Sequence, residues 1–214
     1  MEKINDYTFL IDRPIFEFVR RLPALRVLRT EYKVFSDRSN KQMSPLDLSP
    51  LEQIEEIGDD IFTDIEFEFV EKGSLTDFKS LKTIDLTPLS NVRKIGNNFL
   101  KGCAYMDAID LRPLSNVRKI GDNFLHLCKW LKAVDLSSLR ELTEIGNYFL
   151  EGCSELKTID LSSLIKLTEI GNDFLHGLYK ITELDLSSLT LIRIGERFLI
   201  GCTALQNVQF NPNP

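Results

Sequence analysis

Six side chains in this sequence could carry covalent or metal chemistry: Cys103, Cys128, Cys153 and Cys202, with His126 and His176. A cysteine beside a histidine can act as a nucleophile once the imidazole takes the thiol proton. Converging thiolates and imidazoles can hold zinc. Neither chemistry has its spacing here. Zinc ligands come in pairs such as C-x-x-C, and the chain contains none. No carboxylate is tied to either histidine at a motif spacing, and a hydrolase built on His126 and Cys128 would need an exposed thiol. No phosphate-cradling glycine loop and no nucleophile elbow occur either. The cysteines instead share one column of a series in which Leu178 takes the fourth place. A column that accepts leucine is an apolar core column, where free cysteine packs as a small hydrophobe. The histidines lie two units apart, about 10 Å between backbones, and read as solvated groups on an outer turn. The expectation is no catalytic residue, no metal ligand and no cofactor.

The elements that position these residues are set by an internal repeat. Ile-Gly pairs begin at Ile57, Ile95, Ile120, Ile145, Ile170 and Ile194, and from Ile95 onward the intervals are 25, 25, 25 and 24 residues. Eight apolar columns recur at the same interval: one copy holds Leu156, Ile159, Leu161, Leu164, Leu167, Ile170, Phe174 and Leu178. Ten of the eleven glycines fall into two columns, one after the isoleucine and one just ahead of the cysteine. The stretch "LKTIDL" (81–86 and again 156–161) ends in an inward, outward, inward alternation, which is strand geometry. A single copy cannot bury eight apolar side chains. Stacked copies can, with each strand parallel to the next at about 4.8 Å. Gly96 and its equivalents suit positive φ or close backbone approach. Asn97, Asp122, Asn147 and Asn172 suit the N-cap of a short helix or 3-10 turn.

The block "IGNNFLKGCAYMDAIDL" (95–111), repeated as "IGNYFLEGCSELKTIDL" (145–161), resembles the leucine-rich repeat, specifically the BspA-like (Treponema-type) class. That class has the form I-G-x-x-A-F-x-x-C-x-x-L-x-x-I-x-I, and Phe-Leu stands here at its Ala-Phe positions. The link "SSLIKLTE" is longer than the family's, giving 25 residues per unit rather than about 23. The fold expected is an α/β solenoid: a right-handed leucine-rich-repeat coil, parallel sheet on its concave face, short helices or 3-10 turns on its convex face.

Residues 46–214 form the expected solenoid. "LDLSPLEQIEEIGDDIF" (46–62) is a divergent first repeat, and an insertion at about 63–78 alternates apolar and charged residues like an extra hairpin. Residues 1–45 ignore the period and read as an N-terminal capping segment, with "RPIFEFVRRL" (13–22) as a short helix and 36–44 as a loop. "LQNVQFNPNP" (205–214) supplies a last strand, after which Pro212 and Pro214 oppose further pairing.

With 43% apolar residues the 214-residue chain can bury a sizeable core. A net charge of −6 and a pI near 5.1 give no basic bias toward nucleic acid. No apolar run is long enough for a membrane span, and the N-terminus does not read as a signal peptide. Reduced thiols, a cytoplasmic location and a monomer are expected, with cell-surface or unconventional export as the alternative.

Two features exceed what the repeat needs. Asp85, Asp110, Asp135, Asp160 and Asp185 stack at the outward strand position, where like charges at about 4.8 Å repel unless compensated. Lys82, Lys132 and Lys157, three residues earlier, and the hydroxyls of Thr87, Ser137, Ser162 and Ser187, two later, are the candidate compensation. Tyr105, Trp130 and Tyr179 stand just before strands at positions filled elsewhere by Glu, Lys, Ala or Ser. Such aromatics are either interface anchors or partly buried edges. Arg93, Lys94, Arg118 and Lys119 in the early units face Glu144 and Glu169 in the later ones, which predicts a basic end and an acidic end.

The function expected is a non-enzymatic protein-interaction module that binds a protein partner through its concave strands. The resemblance implies an adhesin or host-interaction protein as an alternative. A substrate-recognition subunit of a larger enzyme, docked through residues 1–45, is the other.

Overall fold

The structure, a computed structural model, describes residues 27–28, 51–59 and 84–211. Its strands in chain order are β1 (Val27–Leu28), β2 (Glu56–Ile57), β3 (Lys94–Ile95), β4 (Lys119–Ile120), β5 (Glu144–Ile145), β6 (Glu169–Ile170), β7 (Glu183–Leu186), β8 (Arg193–Ile194) and β9 (Asn207–Phe210). Seven strands pair in parallel in the order β1-β2-β3-β4-β5-β6-β8, with each isoleucine opposite the next, and β7 pairs in parallel with β9. The chain is therefore the parallel solenoid that the period requires. The divergent first repeat joins it through β2, and Val27–Leu28, inside the segment read as a cap, adds one more strand. The rest of residues 1–45, the insertion at 63–78 and the terminal prolines lie outside the described residues.

The continuous sheet is not where the sequence placed it. It runs through the residue pair ending in the Ile of Ile-Gly, whereas the "IDL" segments form a paired ladder only at β7–β9. Earlier "IDL" segments bond to the preceding coil at their entry, as in Trp130 N–H to Ala104 O at 3.0 Å and Lys132 N–H to Asp107 O at 3.2 Å. Their alternation still holds: Ile159 and Leu161 are buried and Asp160 points outward.

The core is a set of columns. Phe99, Phe124, Phe149 and Phe174 are fully buried, with ring centroids 5.5, 5.5 and 5.2 Å apart and near-parallel planes. The stack tilts at Phe198, 6.1 Å on at 32°, in the last coil. Each of these phenylalanine rings stacks on its equivalents in adjacent coils, so burial and coil stacking are one event.

The turn after Ile-Gly is not helical. Three residues per coil adopt positive φ, as Asn98, Leu100 and Gly102 (62°, 54° and 76°) and Tyr148, Leu150 and Gly152 (60°, 55° and 69°) do. This alternation aims successive amides in opposite directions. Tyr148 N–H reaches forward to Asn172 O at 2.8 Å, and Leu150 N–H reaches back to Phe124 O at 3.0 Å. Positive φ is costly for leucine, and bonds to both neighbours plus full burial hold it there. Among the described residues, 3-10 turns span Thr87–Leu89 and Arg112–Leu114, each with proline at its start. The two glycine columns differ. Gly171 owes its place to close approach, since a Cβ there would lie 2.4 Å from the Gly146 carbonyl carbon. Gly152 and Gly177 supply positive φ.

Candidate functional site

The aspartate column is compensated locally. Each carboxylate accepts the main-chain N–H two residues on: Asp85 from Thr87, Asp110 from Arg112, Asp135 from Ser137, Asp160 from Ser162 and Asp185 from Ser187, at 2.8–2.9 Å. The side-chain hydroxyl of that same residue holds Asp85, Asp135, Asp160 and Asp185 below the usual carboxylate range, with the main-chain N–H second. At Asp110 the donor is the Arg112 guanidinium, at 2.7 Å, and the carboxyl falls to about 2. The repulsion between neighbouring aspartates is thus outweighed by bonds that exist only in the charged form. Of the lysines offered for this task, Lys132 and Lys157 act on Glu155 instead, and Lys82 lies outside the described residues. Among the described residues, Asp135, Asp160 and Asp185 make no ion pair, so three adjacent coils display three ionised, exposed carboxylates.

The aromatic side chains lie at the surface. Trp130 is 56% exposed, Tyr179 54% and Tyr105 45%. Tyr105 and Trp130 occupy one column of adjacent coils, and the column continues into the Glu155–Lys180 ion pair at 2.6 Å.

The segregated charged ends do not form. Lys94 pairs with Glu56 at 2.9 Å, Lys119 with Glu144 at 2.7 Å, and Arg193 approaches Glu169 at 3.9 Å. Stacking brings opposite charges of one column side by side wherever sign changes between coils, and the patches cancel there.

Cys103, Cys128 and Cys153 are buried, Cys202 is half-buried, and none of the four forms a disulfide. The Cys128 thiol donates to Leu100 O at 3.2 Å, and burial pushes its pKa well up. A thiol so placed cannot be the nucleophile beside His126.

The sequence matches the BspA type leucine rich repeat region in six copies, over residues 31–141, 55–166 and 138–213. The chain belongs to this family. Among solved structures, the BspA-type chain is similar to a leucine-rich repeat protein from Bacteroides ovatus, at 20% identity and a TM-score of 0.46, over 73% of this chain and 47% of that one. A leucine rich cell surface protein from Faecalibacterium prausnitzii gives 21% identity and 0.43, over 75% and 44%. The functional domain of InlJ from Listeria monocytogenes, which includes a cysteine ladder, gives 18% and 0.28, over 78% and 41%. The chain thus spans less than half the length of each. No curated protein matches the sequence.

The two histidines of this BspA-type chain are partly buried. His126, Glu151 and His176 fill one column of three successive coils. Glu151 lies 3.3 Å from His126 Nε2 and 3.2 Å from His176 Nδ1, and the side chains are 16%, 21% and 32% exposed. A carboxylate is tied to both imidazoles after all, by the 25-residue period rather than by a short motif. Because Glu151 separates them, the imidazoles cannot share one ion. Among the described residues no group of three His, Cys, Asp or Glu is arranged to hold a metal. No helix among them is long and apolar enough to cross a membrane.

Proposed function

We propose that this BspA-type repeat protein is a non-enzymatic interaction module that binds a basic protein surface through its aspartate column and the adjoining aromatic edge. The observation that carries this reading is the unpaired, ionised trio Asp135, Asp160 and Asp185 on one face of three coils. Each carboxylate accepts the N–H of its own turn through Oδ1 and still stands exposed at the surface, within reach of a partner. Trp130 and Tyr105 add apolar area of the kind that anchors interfaces. The family resemblance favours adhesion or host contact as the setting, since members of that class act as adhesins.

The test is capture of partners from a lysate with wild type, an Asp135→Asn/Asp160→Asn/Asp185→Asn triple variant, and Trp130→Ala/Tyr105→Ala. Asparagine keeps the acceptor oxygen that each turn needs, so the triple variant isolates charge. Its expected result is loss of a specific, salt-sensitive band with an unchanged melting temperature, and the aromatic pair should weaken the same band. An identical set of bound proteins from all three would end the proposal for this face. Residues 1–45 are proposed as a cap on the first coil. Their deletion should lower the melting temperature and leave binding by the repeats intact, whereas loss of one partner at unchanged stability would assign them to docking.

A further inference from the structure

Among the described residues, the column His126, Glu151, His176 is a cluster of titratable side chains that neither the repeat nor the proposed binding face requires. It draws in a second carboxylate: Asp173 Oδ1 lies 3.2 Å from His176 Nδ1 and is almost wholly buried. Arg197 of the next coil binds the other oxygen of Asp173 at 2.6 Å. Tyr148 completes the surroundings, its ring 6.0 Å from that of His126 and its hydroxyl beside Arg197. Lys101 precedes His126 in the column.

With neutral imidazoles, two carboxylates face one guanidinium, and Glu151 has no cation in contact among the described residues. Partial burial makes that arrangement costly and pushes the Glu151 carboxyl up, while a positive charge on His176 or Arg197 opposes the push. One proton on either imidazole would balance the charge of the cluster, because each ring already touches Glu151. Imidazole is the side chain that takes up such a proton between pH 5 and 8.

We propose that His126, Glu151, Asp173 and His176 form an acid-strengthened clamp across three coils: protonation turns the imidazole contacts with Glu151 and Asp173 into ion pairs, and the coils grip one another more firmly below neutral pH. Each contact between His126, Glu151 and His176 crosses a coil boundary, so a stronger pair directly resists separation of stacked coils. The sign follows from the partners. A cationic imidazole gains a carboxylate in the folded state only, so its stabilisation is present in acid and lost as pH rises.

The experiment compares thermal melting of wild type and Glu151→Gln at pH 5.5 and 7.5 at one ionic strength. Glutamine keeps the shape and removes the charge. The expected result is a loss of melting temperature at pH 5.5 that exceeds the loss at pH 7.5 by about 3 °C or more, the shift that about 1 kcal/mol produces in a chain of this size. Equal losses, or a larger loss at pH 7.5, overturn the clamp. If Glu151→Gln fails to fold, His126→Gln/His176→Gln carries the same test: its gap from wild type must widen on acidification, and a constant gap overturns the proposal.

Discussion

The side-chain carbonyl of Asn147 accepts the main-chain N–H of Asn172 at 2.7 Å, while the N–H of Asn147 donates to Asp122 Oδ1, also at 2.7 Å. The relationship repeats from Asp59 through Asn97, Asp122, Asn147 and Asn172 to Glu196. By residue type, Asn97, Asp122, Asn147 and Asn172 suit caps on their own turns. They cap the following coil instead. The column accepts both Asn and Asp because only an acceptor oxygen on a short stem is needed.

Replacing Asn147 by Leu strands the partly buried N–H of Asn172, which costs about 1–3 kcal/mol. At roughly 2–4 °C per kcal/mol for a chain of this size, thermal melting should register the loss plainly. Asn147→Asp keeps the acceptor and should melt within a degree or two of wild type. A leucine variant as stable as wild type would show that the bond contributes nothing.

The two kinds of glycine should separate under alanine substitution. Gly171→Ala places a Cβ 2.4 Å from the Gly146 carbonyl carbon, a main-chain atom that cannot step aside, and should cost about 3 kcal/mol or more. Gly177→Ala meets nothing closer than 3.7 Å and suffers only from its φ of +71°, about 1–2 kcal/mol. Urea denaturation of both variants measures the order, and the reverse order would mean that coil spacing is not set at Gly171.

Thiol chemistry should report burial directly. Burial pushes the Cys153 thiol up to about 12 and raises Cys128 as well, so neither forms thiolate at pH 8. In a native titration with an aromatic disulfide reagent, the half-buried Cys202 should react first, while Cys103, Cys128 and Cys153 wait for denaturant. Rapid modification of Cys128 would reopen the nucleophile that its burial closes.

The aspartate column should appear in the acid limb of stability. Hydrogen bonds from Arg112 lower the Asp110 carboxyl to about 2 in the folded chain, against about 3.9 unfolded. A depressed folded value contributes stability above the unfolded value and loses it as pH falls toward the folded one. The difference in denaturation midpoint between wild type and Asp110→Asn should therefore hold steady above about pH 5 and close between about pH 4 and pH 2. A gap that widens on acidification would contradict the bonding at Arg112.

Most of the architecture was legible because a period is a statement about neighbours. Once Leu136 and Leu161 recur 25 residues apart, or Cys128 and Cys153, the chain has no other way to bury them than to stack. Column membership, the core position of the cysteines and the hydroxyl compensation of the aspartates all followed from that reasoning. The His126–Glu151–His176 series was equally present in the spacing. No motif along the chain reveals it, because its members stand 25 residues apart and meet only down a column.

By itself, then, the sequence determined which residues lie above one another, because apolar burial demands a common register for every coil. It could not determine which direction a group would bond. The alternating positive φ at Tyr148 and Leu150, the continuous sheet at Ile145 rather than at Leu161, the forward reach of Asn147 and the pairing of Lys119 with Glu144 all depend on two coils at once. A hydrogen bond or ion pair between coils is chosen by distances of about 3 Å that exist only after stacking, and that choice belongs to the tertiary structure.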